Sequence, residues 1–182
     1  YAKIWWDEGS PLVVISKRMH EKVKPQVAVP VALAMRYGNP SMLAGLQELH
    51  DKGVTEVMLF PLYPQHAMAS TTTILVLAEE LRKKHFPEMK FTIVPAFYNK
   101  PDYIKNLADS IKKSLENFEY DHLLFSYHGI PERHIRKTDI TKSHCKMDGS
   151  CCNTPSPAHE FCYRHQCYET TKQVVKLLGI PE

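Results

Sequence analysis

Four short apolar segments, separated by longer segments with helical character, constrain the fold of this chain most strongly. They are residues 27–35, 54–62, 91–97 and 123–127. Each is short enough to be a buried strand and is bounded by residues that favour turns. A β-α-β-α-β-α-β order needs right-handed crossovers, which place helices on the faces of a parallel sheet. We therefore predict an α/β fold with a parallel sheet and helices on both of its faces.

The segments between and after these strands carry signals for helix starts and stops. Helices are predicted from Ser41 to about residue 51, from Ser70 or Thr71 to about 85, over 101–118, and over 158–178. The alternating pattern ends after Asp139, where a polar loop rich in cysteine begins. We therefore divide the chain into an α/β domain, residues 1–140, and a cysteine-rich loop with a C-terminal helix, residues 141–182.

Composition limits the class of protein. The chain of 182 residues is 43% hydrophobic and 24% charged, which is typical of a globular domain. A net charge of +3, with no run of Lys and Arg among aromatics, argues against a nucleic-acid partner. No apolar stretch has the length of a membrane span, and the chain does not open on a secretory signal pattern. We therefore expect a cytoplasmic protein.

The stretch HLLFSYHGIP, residues 122–131, places a histidine at the end of an apolar segment. Gly129 and Pro131 turn the chain directly after His128. Open α/β sheets bind ligands at the carboxyl ends of their parallel strands. This pattern predicts that His128 lies at such an edge and belongs to a binding or catalytic site.

All five cysteines lie close together, which indicates metal chemistry in a protein without secretory signals. They are Cys145, Cys151, Cys152, Cys162 and Cys167. Four thiolates are the usual ligands of a [2Fe–2S] cluster. Adjacent residues of an extended chain point in opposite directions, so we choose Cys152, with Cys151 as its substitute. Residues five apart on a helix are about 140° apart. If Cys162 and Cys167 bind metal together, Cys162 must therefore precede the helix or the first turn must be irregular.

Two alternatives for the cysteine segment remain open. Zinc could be held by four cysteines, or by three cysteines and one of His144, His159 and His165. The cysteines could also be reduced and carry no metal.

Four segments of the chain resemble the ferrochelatases of haem biosynthesis. They are IW with EGSPL at residues 4–12, MRYGNP at 35–40, LYPQ with STT at 62–72, and SYHGIP with Arg133, Lys137 and Asp139 at 126–139. The resemblance implies a chelatase-like fold, in this case half of a Rossmann- or flavodoxin-like protein. It also implies a lyase that inserts Fe²⁺ into a porphyrin. The cysteine segment resembles the internal cluster segment of some bacterial ferrochelatases, where a structural or redox-sensing part is expected.

The resemblance also assigns roles to individual residues. His128 is the expected proton acceptor or Fe²⁺ ligand, because a neutral imidazole can do either near pH 7. Arg36, Tyr37 and Tyr63 are expected to bind the porphyrin, with Arg36 pairing with a propionate. Ser10 is a further porphyrin candidate, carried by the family's GSP motif alone.

The resemblance further implies that parts of the enzyme lie outside this chain. The family's first strand would precede residue 1, and its C-terminal half, with a glutamate opposite the histidine, would follow residue 182. We therefore expect the chain alone to be inactive. A rival interpretation is an iron–sulfur or zinc module for sensing or interaction, without chelatase activity. The hydrophobic product also makes peripheral membrane contact reasonable.

Overall fold

The structure is a computed structural model that describes residues 2–180. The chain forms two compact units. The first contains the described residues up to Leu59 together with Thr73–Ile93. The second contains Phe60–Thr72 and the described residues from Val94 onward.

The first unit combines three α-helices with a parallel pair of strands. Its elements are α1 (Pro11–Val23), α2 (Met42–Asp51), β1 (Glu56–Leu59), α3 (Thr73–His85) and β2 (Lys90–Ile93). The strands pair in register from Glu56 opposite Lys90 to Leu59 opposite Ile93. Helix α2 begins where the Ser41 hydroxyl accepts a hydrogen bond from the Ala44 N–H at 3.2 Å.

An entirely apolar core holds the first unit together. Helices α2 and α3, strand β1 and the connection between α3 and β2 all contribute side chains to it. Its buried members are Met42, Leu46, Leu49, Val57, Ile74, Ala78, Phe86 and Met89. The apolar positions of α2 recur at helical spacing, so one face of this helix supplies three of these residues, Met42, Leu46 and Leu49.

The second unit is helical, with long irregular connections. A π-helical turn, Met68–Thr72, is followed later in the chain by α4 (Pro101–Leu115), α5 (Glu132–Thr138) and α6 (Tyr163–Leu178). Two 3₁₀ turns, Ser150–Asn153 and Pro157–Glu160, lie in the cysteine-rich segment. Helices α4 and α6 pack through Ile104, Ala108 and Val174.

The α/β fold class and the parallel sheet are confirmed. Two of the four predicted strands are wrong: residues 27–35 and 123–127 form no ladder within the described part of the chain. In the first, Met35 makes only an isolated bridge to Ser41. In the second, Phe125 packs against the α4–α6 core while Leu124 is 89% exposed, so only one face of the segment is covered. A strand needs a hydrogen-bonded neighbour as well as an apolar pattern.

The predicted helices all form, with shifted ends. Helix α3 begins at Thr73, after the π-helical turn, and α6 begins at Tyr163 rather than near 158. Helices α1 and α5 were not anticipated from the sequence. None of the helices in residues 2–180 is both long and apolar enough to cross a membrane. The division of the chain at residue 140 stays a prediction.

Candidate functional site

The segment that carries His128 lies against helix α6. The Tyr127 hydroxyl and the Thr171 hydroxyl are 2.9 Å apart and share a hydrogen bond. Burial raises the pKa of Tyr163 to about 12, although a hydrogen bond with the backbone of His128 acts in the opposite direction. The His128 side chain itself is exposed. Neighbouring contacts therefore hold its backbone while the imidazole faces solvent.

Asp139 links the end of the HGIP signature to the cysteine segment. It follows α5, and its side chain is buried. One carboxylate oxygen accepts hydrogen bonds from the backbone and hydroxyl of Thr141 at 2.9 and 2.6 Å. The other accepts from the Cys145 N–H at 2.8 Å. Burial would raise the pKa of Asp139, but these hydrogen bonds outweigh it and lower the pKa to about 2.

Four of the five cysteines line one small cavity, together with Asp139, His144 and His159. They are Cys145, Cys151, Cys152 and Cys162. Cys151 and Cys152 lie in the 3₁₀ turn Ser150–Asn153, so the extended chain assumed from the sequence is wrong and both side chains reach the cavity. Cys162 is the non-helical residue before α6, which is one of the two arrangements that would let it bind metal together with Cys167. Cys167 does not line the cavity and instead interacts with Tyr163.

Most of these thiols favour the protonated form. Burial raises the pKa of Cys152 to about 12 and that of Cys167 to about 11. Burial also raises the pKa of Cys145 and of Cys162. For Cys151, burial is opposed by hydrogen bonds from the Lys146 and Met147 backbone, and the pKa is lowered. A bound metal would have to displace protons from the other thiols.

The histidines of this segment bind the backbone of the cysteine turn. The Nε2 atoms of His144 and His159 lie 2.9 and 3.0 Å from the Cys151 carbonyl oxygen. His165 stacks on His159 at 3.5 Å, and its Nδ1 lies 2.9 Å from the Cys152 carbonyl oxygen. Within residues 2–180, no group of three or more His, Cys, Asp or Glu side chains is arranged to hold a metal ion. The donor set suits iron–sulfur or zinc chemistry, but binding would require the side chains to rearrange.

The loop that carries Tyr63 is tied to α6 by two polar residues that the sequence did not reveal. The His66 N–H donates to Gln166 Oε1 at 2.7 Å, and Gln65 Nε2 donates to Thr170 Oγ1 at 3.0 Å. These two residues of α6 are Gln166 and Thr170. The sequence signal for them is their i, i+4 spacing with Val174, which places all three on one face of the helix. Tyr63 itself is 40% exposed.

Ser10, Arg36 and Tyr37 belong to the first unit. Ser10 precedes α1, and its side chain makes no capping hydrogen bond. The Arg36 guanidinium lies over the Tyr37 ring, 4.5 Å from its centroid. The Arg36 Nε atom is buried without a hydrogen-bond partner among the described residues. Arg36 therefore retains donor capacity for an acidic ligand.

Comparison with known proteins decides the family. The sequence profile described as Ferrochelatase matches residues 1–182. The chain belongs to the ferrochelatase family. It is 44% identical, over 183 aligned residues, to the ferrochelatase of Pseudomonas syringae pv. tomato, covering 100% of this chain and 54% of that protein. It is 46% identical to the ferrochelatase of Ectopseudomonas mendocina, covering 99% and 53%. The chain thus spans about half the length of these ferrochelatases.

The ferrochelatase-like motifs of the second unit meet at α6. The segment before His128 contacts this helix through Tyr127, and its Phe125 packs against the core that α4 and α6 form together. The Tyr63 loop contacts α6 through Gln65 and His66. The cysteine segment leads directly into it at Cys162. One helix therefore supports the loops of the second unit for which the sequence predicts substrate and metal chemistry.

Proposed function

We propose that the protein carrying this chain inserts Fe²⁺ into a porphyrin in the terminal steps of haem biosynthesis. The match of the ferrochelatase profile to the whole chain carries this proposal. Family membership favours an enzyme over the rival sensing or interaction module. A cytoplasmic location is part of the proposal, with peripheral membrane contact for a hydrophobic product.

His128 is the proposed proton acceptor or Fe²⁺ ligand. Metal insertion requires two pyrrole N–H protons to leave and the Fe²⁺ ion to lose its water ligands. A neutral imidazole can accept a proton or bind Fe²⁺, and both tasks need an accessible ring. The exposed side chain of His128 on a supported backbone is consistent with either role.

Porphyrin binding is assigned to Ser10, Arg36, Tyr37 and Tyr63. The unpartnered Nε of Arg36 supports this role, because a guanidinium can pair with a propionate through two parallel hydrogen bonds. Tyr37 is 75% exposed beneath the guanidinium, and its ring can supply apolar contact area to a macrocycle. Ser10 rests on the family motif alone.

A [2Fe–2S] cluster held by four of the five cysteines is also proposed. The sequence argument selects Cys145, Cys152, Cys162 and Cys167, with Cys151 in place of Cys152. The shared cavity supports Cys145, Cys162 and either residue of the Cys151–Cys152 pair. Cys167 would have to reach the cluster by rearrangement at the start of α6. The cluster would supply a structural or redox-sensitive centre, since metal insertion transfers no electrons.

The catalytic assignment is tested in the full-length protein with His128→Ala and, as a matched control, His122→Ala. Loss of free-porphyrin fluorescence with anaerobic Fe²⁺, or with Zn²⁺, measures insertion. Removing a positioned proton acceptor typically costs about 10²- to 10⁴-fold in rate. We expect such a loss for His128→Ala and little change for His122→Ala. Wild-type turnover in the His128→Ala protein would refute the role.

The cluster is tested by an anaerobic ultraviolet–visible spectrum with iron and acid-labile sulfide analysis. Visible absorption with equal iron and sulfide supports the [2Fe–2S] assignment. Single Cys→Ser variants at the five positions then identify the ligands by loss of absorption. A colourless, iron-free protein that contains zinc would reject the iron–sulfur cluster in favour of the zinc alternative.

A further inference from the structure

Gln166 is a polar side chain buried at the centre of the second unit. It is 0% exposed, and each of its polar atoms is engaged. Its Oε1 accepts the hydrogen bond from the His66 N–H at 2.7 Å. Its Nε2 donates to the carbonyls of His159 and Glu160 at 3.1 and 2.8 Å. One side chain therefore uses an acceptor and both of its donors, which only an amide can provide.

The groups bound by Gln166 come from two different parts of the site. His66 lies three residues after Tyr63, the proposed porphyrin contact. His159 and Glu160 belong to the turn Pro157–Glu160, which ends two residues before Cys162. The amide of Gln166 is thus a direct link between the Tyr63 loop and the cysteine segment.

The next turn of α6 supports the same loop in a weaker way. Thr170 is 1% exposed, and its Oγ1 accepts from Gln65 Nε2 at 3.0 Å. The Thr170 Oγ1 also lies 2.9 Å from the carbonyl oxygens of Tyr98 and Gln166, either of which can accept a hydrogen bond from the hydroxyl. On the cysteine side, however, Thr170 makes no such bond to residues 159–160. A second link joins the two sides directly, because His66 Nδ1 lies 3.3 Å from the Phe161 carbonyl oxygen and the two rings pack edge to face. Gln166 differs in that its single side chain bonds the backbone of both sides, including the His66 N–H.

We infer that Gln166 is a positioning residue that holds the Tyr63 loop in its porphyrin-binding conformation and makes that conformation depend on the state of the cysteine segment. The inference rests on the proposed function for its substrate. If the cysteine segment rearranges, the carbonyls of residues 159 and 160 move. The amide must then leave a buried hydrogen bond unmade or release the His66 N–H. Porphyrin affinity therefore responds to the cysteine segment through this side chain.

The test compares Gln166→Met with Gln173→Met in the full-length protein. Methionine keeps the length of the side chain and removes every hydrogen bond. Gln173 lies on the same helix, where its amide bonds only the Glu169 carboxylate. Hydrogen exchange of the Tyr63, Gln65 and His66 amides reports the loop directly. Fluorescence titration with metal-free porphyrin, together with KM and kcat, reports substrate binding.

We expect the His66 amide to exchange about tenfold faster in Gln166→Met, as for the loss of one buried hydrogen bond. Porphyrin Kd and KM should rise by a similar factor while kcat changes less than twofold. Gln173→Met should match the wild type in all of these. If Gln166→Met does not fold, Thr170→Val provides the same readout with a smaller shift, because it removes the Gln65 anchor of the loop and leaves the bond from the His66 N–H to Gln166 in place.

The dependence on the cysteine segment has its own test. Removing bound metal with a chelator should accelerate His66 exchange in the wild type but add less than twofold in Gln166→Met. Unchanged His66 exchange and unchanged porphyrin affinity in a folded Gln166→Met protein would overturn the inference. If the wild type inserts no metal and binds no porphyrin, the proposed function fails. Accelerated His66 exchange would then still show that Gln166 positions the loop, so the two failures can be told apart.

Discussion

The two units of the chain fill their interiors in different ways. The core of the first unit consists of apolar side chains from α2, α3 and the strands. In the second unit the largest fully buried side chains are Gln166, Thr170 and Val174, and two of these three are polar. Apolar contacts have no preferred direction, whereas each buried polar group needs a specific partner at a specific angle.

This difference has a consequence for function. The hydrogen bonds of Gln166 and Thr170 reach residues that are 72 to 105 positions away in sequence. The apolar unit is therefore expected to depend on volume, and the polar unit on the identity of single atoms. Substitutions in each unit can test this contrast.

The largest effect is expected in the apolar core. Leu46 is 3% exposed, and Leu46→Ala should lower the free energy of unfolding by about 2 to 5 kcal/mol, since it removes buried methyl groups and leaves a cavity. Leu43→Ala is the matched control on the same helix, because Leu43 is 38% exposed. Urea denaturation measures both. Equal losses for the two variants would contradict the assigned core face of α2.

The next largest effect is expected at Asp139. Asp139→Asn retains the shape of the side chain but places an amide group where a carboxylate accepts several hydrogen bonds. Loss of hydrogen bonds to a charged group costs about 1.5 to 3 kcal/mol. Urea denaturation at neutral pH should show this loss. Asp148→Asn is the control, since the Asp148 carboxylate binds only the exposed Ser150 beside it.

The same residue predicts a pH dependence with a definite sign. The folded pKa of Asp139 is about 2, below its ordinary value of 3.8. Its stabilisation is therefore complete above about pH 4 and disappears as the pH falls towards 2. The difference in unfolding free energy between wild type and Asp139→Asn should shrink over this range. A difference that stays constant from pH 5 to 2 would show that the carboxylate charge is not responsible.

The contrast between the apolar first unit and the polar second unit also explains which parts of the fold could be predicted from the sequence. Helix α2 was predictable because Ser41 starts it, Gly53 follows it, and apolar residues repeat on one face. The predictions of strands at 27–35 and 123–127 were wrong. An apolar pattern indicates that a face is covered but does not show whether another strand lies beside the segment. Leu124, in an apolar run, is almost fully exposed.

In the site, too, features set by local geometry were predictable and features that depend on distant partners were not. Helical geometry allowed Cys162 and Cys167 to bind metal together only if Cys162 preceded the helix or the first turn was irregular. Cys162 does precede α6, whereas joint binding by the two cysteines stays a prediction. The orientation of Cys151 and Cys152 could not be predicted, since it depends on a 3₁₀ turn. Gln166 and Thr170 were missed for a different reason. Their partners lie far away in sequence, and a polar residue on a helix is usually exposed to solvent.

A smaller effect is expected for Thr170→Val, which keeps the volume of the side chain and removes its hydroxyl. Because the Tyr98 carbonyl and the Gln65 amide each lose a partner, the free energy of unfolding should fall by about 1 to 2 kcal/mol. Thr170→Ser keeps the hydroxyl and should retain these bonds. If the valine variant is as stable as the wild type while the serine variant is destabilised, packing rather than polar contact supports this part of α6.

The smallest effect is expected at the starts of helices, where one helix from each unit is compared. Ser41→Ala removes the only side-chain cap of α2 and should cost about 1 kcal/mol. Lys100, at the start of α4, makes no capping hydrogen bond, so Lys100→Ala should change stability by less than about 0.5 kcal/mol. Faster amide exchange at Ala44 in Ser41→Ala would locate the loss at the cap. Because this bond is local and exposed, its effect should be nearly additive with that of Leu46→Ala. Thr170→Val and Gln166→Met should instead be non-additive, because the two side chains anchor adjacent residues of one loop, Gln65 and His66.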